Sequence, residues 1–432
     1  MGAKVDPFEP DNPFYRVNEE KDLGKGPGHL IRSEELSDCA ALEDASATYR
    51  VIYESTGTGE RRGKAIGVSG IIAFPTKPPP AGGWPVISWA HGTVGSADKC
   101  APSMDSDDLG PPADSGLGLL RKINKAPHRL LNAFLRAGWA VAMTDYEGLG
   151  TYGNHPYLLG DSEGRGILDI VPAVPQLAAQ TVGQPISDRY AIVGHSQGGQ
   201  AALFGAHLAG TEEYAGSASC LVGVAALAPA SNLKIGLMFV YAQTAPFGDL
   251  GAFYPLFSNG VFGGDPGIDK TQIFQDKALQ RYLADYDTKA RAELSEEPDW
   301  MDRAPLDAGT PAEGIFRTQI QLGNPARKAA WDRYWAEVDG FNPAKLITVP
   351  IRISQALGDK RVMPSNTETL VGQLEAIDGH GPITSVIYPL LGVAIPDPET
   401  LGDHFGLLID DVEIESLVGW IREQLTRPGI VV

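Results

Sequence analysis

The 432-residue chain is 43% hydrophobic and 21% charged, proportions that supply a globular core and exclude wholesale disorder. Its 54 acidic against 35 basic residues leave a formal charge of −19, which excludes the basic footprint that nucleic acid requires and disfavours anionic membrane surfaces, though not neutral lipids or esters. The length exceeds a usual single core, so one large α/β domain with an insertion, or two domains, is expected.

The opening stretch MGAKVDPFEPDNPFYR lacks the apolar core of a secretory signal. The chain is therefore expected to be made without one, or to begin after it. No apolar run of about 18 residues follows, so no stable membrane insertion is expected. Residues 1–45, rich in Pro, Gly and charge, read as an irregular N-terminal arm. From ATYRVIYES through AIGVSGIIAFP the β-branched alternation predicts an antiparallel strand pair. WPVISWAHGT, GWAVAMTDYEG, RYAIVGHSQGG and LVGVAALAP are then short apolar runs, each closed by Gly, Asp or Pro. Helical spacers such as APHRLLNAFLRAG and the proline-interrupted RGILDIVPAVPQLAAQ separate several of them, which predicts a mostly parallel sheet with right-handed crossovers.

This first part of the core runs over 46–230, and the rhythm breaks over 231–345. That stretch is dense in aromatics and glycine, contains the helix former FQDKALQRYLADYDTKARAEL, and reads as an inserted, mainly helical cap. Trp331, Tyr334 and Trp335 give it one aromatic face, suited to core packing or to lining an apolar pocket. The core resumes over 346–432 with VPIRISQALGD and ITSVIYPLLG as strands and DVEIESLVGWIREQL as a closing amphipathic helix. Cys39, Cys100 and Cys220 form no CxxC pair, which argues against a zinc or redox site. Cys220 reads as a small buried hydrophobe, while Cys39 and Cys100 could pair in an oxidising compartment.

The chemistry centres on GHSQGG. A serine hydroxyl is a poor nucleophile near neutral pH and needs a base, an acid to orient that base, and donors for the developing oxyanion. Gly194 and Gly198 frame Ser196 between an apolar run and a helical pattern, the strand–turn–helix context of a nucleophile corner. His404, in LGDHFGLL, follows the last strand and precedes the final helix through a loop, where a base would reach the sheet's edge. His29, His91, His128, His155, His195, His207 and His380 lie in the arm, at a strand end, in loops and turns, within helices or in the corner itself. Asp359 directly follows a buried-strand pattern and is the acid candidate; Asp403 adjoins the base, and sequence neighbours rarely face each other. The Gln197 N–H, next after the nucleophile, is one oxyanion donor. For the second, spacing leaves Thr93 in AHGT and Asp145 in TDYEGLG both open.

HGTVGSADKCAPS, AVAMTDYEGLGTYGNHPYLLGDSEGRGILD, GHSQGG, ALGDKRVMP and DHFG together resemble, in the same order, the segments of the secretory lipase family, the lipase A type of α/β-hydrolase. The likeness extends over most of the chain beyond about residue 40, and over 231–345 mainly in position and character. It implies an α/β-hydrolase fold with Ser196 as nucleophile, Asp359 as acid and His404 as base. It also implies that an aspartate N–H helps form the oxyanion hole, which favours Asp145, and that the cap covers an acyl-binding tunnel. His195 and Gln197 depart from the lipase A corner, and three cysteines cannot make the two disulfides of the yeast enzyme.

The expected function is a serine ester hydrolase, a lipase or carboxylesterase acting through an acyl-enzyme on Ser196. It needs no metal or organic cofactor, its partner is a small-molecule or lipid ester, and the family implies a secreted or cell-envelope location, with a cytoplasmic one left open. The alternatives are an acyltransferase using the same triad and a catalytically silent binding protein of the same fold.

Overall fold

A computed structural model describes residues 12–105, 123–215, 219–234, 253–265, 267–272, 274, 276–294, 329, 332–336, 346–389 and 402–427. Three strands, β1 (Leu30–Leu36), β2 (Ala45–Thr56) and β3 (Ala65–Pro75), form an antiparallel meander, with Ile52 of β2 opposite Ser69 of β3. The rest of the sheet comprises β4 (Trp84–Ala90), β5 (Ala140–Thr144), β6 (Ile186–His195), β7 (Cys220–Leu227), β8 (Ile351–Ala356) and β9 (Ile383–Tyr388). These six run parallel to one another, and β3 joins them by pairing antiparallel with β5. The order across the sheet is β1-β2-β3-β5-β4-β6-β7-β8-β9, so the chain reverses direction of travel around β4 and β5.

Every residue of β5 and β8 is buried, as expected of parallel strands covered on both faces; β5 accordingly reads as an apolar run, whereas β8 places Arg352, Ser354 and Gln355 among its apolar residues. Among the described residues the helices of eight or more residues begin with α1 (His128–Ala137), α2 (Gly160–Asp169), α3 (Ala173–Gln180) and α4 (Gln197–Ala209). They continue with α5 (Tyr254–Gly264), α6 (Asp276–Asp285), α7 (Pro364–Glu375), α8 (Gly402–Ile409) and α9 (Asp411–Thr426). Local chemistry sets their ends. The helix α1 stops where Gly138 turns left-handed at φ 92°, Pro172 separates α2 from α3, and the Asp410 carboxylate caps α9 by accepting from the Val412 and Glu413 N–H groups. Packing groups α2 with α4, and α1 with α8 and α9, against the sheet.

One expectation is corrected here. Within the stretch read as an irregular arm, β1 forms the first strand of the sheet. Its centre carries Arg32, Ser33, Glu34 and Glu35, of which the two glutamates are exposed, and such charge is typical of an edge strand protected against pairing with other chains. A second difference is that His404 sits within a short helix, α8, and not in a loop. No disulfide joins the cysteines; Cys39 and Cys100 are buried and Cys220 is half-buried.

The main core spreads over both faces of the sheet, from Leu30 to Leu425. A second apolar cluster is built by α5, α6 and neighbouring residues of the 231–345 stretch, including Phe257, Phe262, Phe274, Tyr282, Tyr334 and Trp335, together with Tyr157 and Leu158. Tyr334 and Trp335 thus pack as core; Trp331 lies outside the described residues.

Candidate active site

The parallel strands β4, β6 and β8 end at the same edge of the sheet, where crossovers leave a crevice for ligands. At the end of β6 the chain enters α4 through Ser196, whose φ of 59° and ψ of −119° lie outside the regions that suit a side-chain-bearing residue. Backbone bonds hold the strain: Ser196 N–H donates to Leu227 O at 2.9 Å, and Ser196 O accepts from the Ala230 N–H at 2.9 Å. The flanking glycines are steric necessities. A Cβ on Gly194 would lie 2.0 Å from Gly198 O, and one on Gly198 would lie 1.9 Å from Ala90 O. No side chain fits there.

Asp359 occupies the turn beyond β8, where its N–H bonds to Ala356 O. Its Oδ1 accepts from the Arg361 and Val362 N–H groups at 2.8 and 3.0 Å. Its Oδ2 accepts from His404 Nδ1 at 2.7 Å and from the Gln355 amide at 3.3 Å. Burial alone would raise the carboxyl; His404 and the two N–H groups outweigh it and hold Asp359 below its ordinary value. A carboxylate accepting at Nδ1 fixes the imidazole tautomer with Nε2 as the unprotonated, basic nitrogen. Asp403's side chain lies outside the described residues.

His404 is also tied to the Ser196 corner. Its carbonyl oxygen accepts from His195 Nε2 at 2.8 Å, and the two rings lie 4.5 Å apart. Burial, followed by the neighbouring His404, pushes His195 down to about 3, so it serves there as a neutral donor. Ser196, Asp359 and His404 are all buried.

Asp145 is not placed to serve the corner. Its N–H donates to Ser69 O at 2.9 Å, a bond between neighbouring strands. Its carboxyl is enclosed by Ser69 and Ser103, with Ser69 Oγ 2.7 Å and Ser103 N 3.1 Å away. Burial raises it to about 6 despite those bonds. The role expected for Asp145 is therefore corrected on the ground that its donor is already spent. The rival loop lies beside the corner: Ala90 pairs with Gly194, and a Cβ on Gly92 would be 3.4 Å from Ser196 Cβ. Among the described residues no hydrogen bond engages the N–H of Thr93 or of Gln197.

Sequence reasoning passed over a buried polar group behind Gln197. The Gln197 amide donates to Glu163 Oε1 at 2.6 Å and to His155 Nε2 at 3.1 Å. His155 Nδ1 in turn donates to Glu147 O at 3.0 Å. Burial pushes Glu163 up to about 8 and His155 down to about 3, so both are neutral at pH 7 and their approach at 3.9 Å is not an ion pair. The available signal was their presence in the HPYLLGDSEG stretch that runs into the first turn of α2. Among the described residues no group of three or more His, Cys, Asp or Glu side chains is arranged to hold a metal ion, and no helix is long and apolar enough to cross a membrane.

Residues 123–281 match the family model described as secretory lipase. Candida antarctica lipase A in its closed state is similar in structure, with a TM-score of 0.68 at 19% identity over 98% of this chain and 87% of that one. The rice cell wall degrading esterase LipA from Xanthomonas oryzae follows, with a TM-score of 0.62 at 19% identity over 93% of this chain and 98% of that one. A putative hydrolase from Legionella pneumophila has a TM-score of 0.60 at 17% identity, covering 93% and 99% of the two chains. No curated protein sequence matches. The chain has the α/β-hydrolase fold expected from its sequence, and the resemblance to secretory lipases is found independently.

Proposed function

We propose that the chain is a carboxylic ester hydrolase, a lipase or esterase, working through an acyl-enzyme on Ser196. His404 Nε2 takes the Ser196 proton as the hydroxyl attacks the ester carbonyl, and Asp359 stabilises the imidazolium that forms. The Gln197 and Thr93 N–H groups donate to the tetrahedral oxyanion, Thr93 taking the part expected of Asp145. His404 then protonates the leaving alcohol and activates the water that releases the acid.

One observation carries this reading: the buried 2.7 Å bond from His404 Nδ1 to Asp359, made beside a strained serine corner. The aromatic 231–345 insertion is proposed as a cap whose apolar cluster borders the acyl group. The match to a secretory family supports an exported protein. Ser196→Ala removes the nucleophile alone. It should abolish hydrolysis of short p-nitrophenyl esters and leave thermal unfolding unchanged, whereas retained turnover overturns the proposal.

A further inference from the structure

The nine residues 155–163 touch both proposed oxyanion donors, from opposite ends of one segment. At its start, His155 Nε2 accepts from the Gln197 amide at 3.1 Å; at its end, Glu163 Oε1 accepts from the same amide at 2.6 Å. Both hydrogens of that amide are thereby used, so the Gln197 side chain has one orientation. Between them, the Tyr157 hydroxyl bonds to Thr93 Oγ1 at 2.7 Å.

The segment is itself rigidly held. Leu158 sits at φ 59°, a left-handed conformation that strains any residue but glycine. Its N–H donates to Glu163 Oε1 at 2.8 Å and its carbonyl accepts from Gln200 of α4 at 3.0 Å, so the nucleophile helix and Glu163 together fix the strained residue. His155, Glu163 and Gln197 are nearly devoid of solvent contact. A polar cluster buried this deeply is costly unless satisfied, yet among the described residues Glu163 Oε2 has no hydrogen-bond partner. Apolar side chains would pack there at lower cost.

We infer that residues 155–163 are a positioning clamp for the oxyanion hole, with His155 and Glu163 orienting Gln197 and Tyr157 orienting Thr93. The inference rests on the ester-hydrolase reading. None of the three touches the reacting atoms; each acts through the residue whose main-chain N–H does. Tyr157 also joins the clamp to the insertion, because its ring lies 5.7 Å from Phe257 and its carbonyl accepts from the Tyr334 hydroxyl at 3.3 Å. Tyr157 is thus the side chain that links the described part of the insertion to Thr93.

The test is Tyr157→Phe, which deletes one hydroxyl and keeps the ring, assayed with a p-nitrophenyl ester and a trifluoromethyl ketone as transition-state analogue. Loss of an oxyanion donor outright costs about a hundredfold or more in kcat; loosening one should cost about tenfold, with KM within about twofold. Affinity for the ketone should fall by the same factor as kcat/KM. Glu163→Leu should act in the same direction, and Glu163→Gln, which keeps the acceptor oxygen, should recover most of that loss. Unchanged kcat in Tyr157→Phe, a loss confined to KM, or undiminished ketone affinity overturns the clamp. A wild-type protein that neither hydrolyses esters nor is labelled at Ser196 by a fluorophosphonate overturns the hydrolase reading beneath it, a separate and distinguishable result.

Discussion

Glu163 carries a proton that a carboxyl in water would have lost, and this makes stability depend on pH in a definite sense. Burial lifts it from an ordinary 4.5 to about 8, so across that window the folded protein holds a proton that the unfolded chain releases. Its contribution is fully present below 4.5 and is lost as pH rises through about 8. Glu163→Gln has no such proton to lose. Thermal unfolding of the two proteins should therefore diverge in favour of the variant between about pH 5 and about pH 8; a constant difference across that range contradicts the buried, protonated state. Residues of this kind are the least legible in a sequence. The turn at Ser196 was readable because its glycines announce a crowded corner, and the place of Asp359 just beyond β8 because an apolar pattern precedes it. Glu163 and His155 lie 34 and 42 positions before Gln197 and meet it only because α2 packs on α4. Asp145 misled for a related reason: its resemblance to a family donor says nothing of where its own N–H points, and a cross-strand bond to Ser69 decides that.

Among whole elements, the parallel strands at the centre of the sheet, β4 to β7, were the most legible, since burial on both faces leaves an apolar run with a turn at each end. The edge strand β1 was not, because an edge is kept polar. The junction of β8 with α9 shows a feature that no local pattern announces. Arg352, buried in β8, donates to Glu413 Oε2 of α9 at 2.6 Å and to Ser416 Oγ at 3.1 Å, and the Tyr388 hydroxyl donates to the same Glu413. Such a pair anchors the closing helix only while both partners are present. Arg352→Met alone strands a buried carboxylate and should cost about 3–5 kcal/mol in urea unfolding. Replacing both, as Arg352→Met with Glu413→Leu, should cost clearly less than the single change. Equal losses would mean that the pair is not energetically coupled.

Over the whole molecule, the ends of β4, β6 and β8 at one sheet edge bring scattered motifs together: the Ser196 corner, the Asp359 turn and α8 are separated by most of the second half of the chain. That convergence follows from parallel topology, which the alternation of apolar runs and helices made readable. The position of the 231–345 stretch against the rest did not follow, because an insertion's aromatic face fits a core as well as a pocket. The described part of it packs as core, forming a separate apolar cluster that reaches Tyr157.

The three thiols, finally, give this protein an internal clock for its own opening. Cys100 is fully enclosed, and burial pushes its thiol up to about 12, so an aromatic disulfide reagent meets almost no reactive sulfur there until the surrounding structure breaks open. Cys220, half-buried at the start of β7, is accessible without such an event. Titration of the native protein should show one prompt equivalent and two delayed ones, all three becoming prompt in denaturant. The slow phase would time how often the centre comes apart. Three immediate equivalents under native conditions would contradict the enclosure of Cys39 and Cys100.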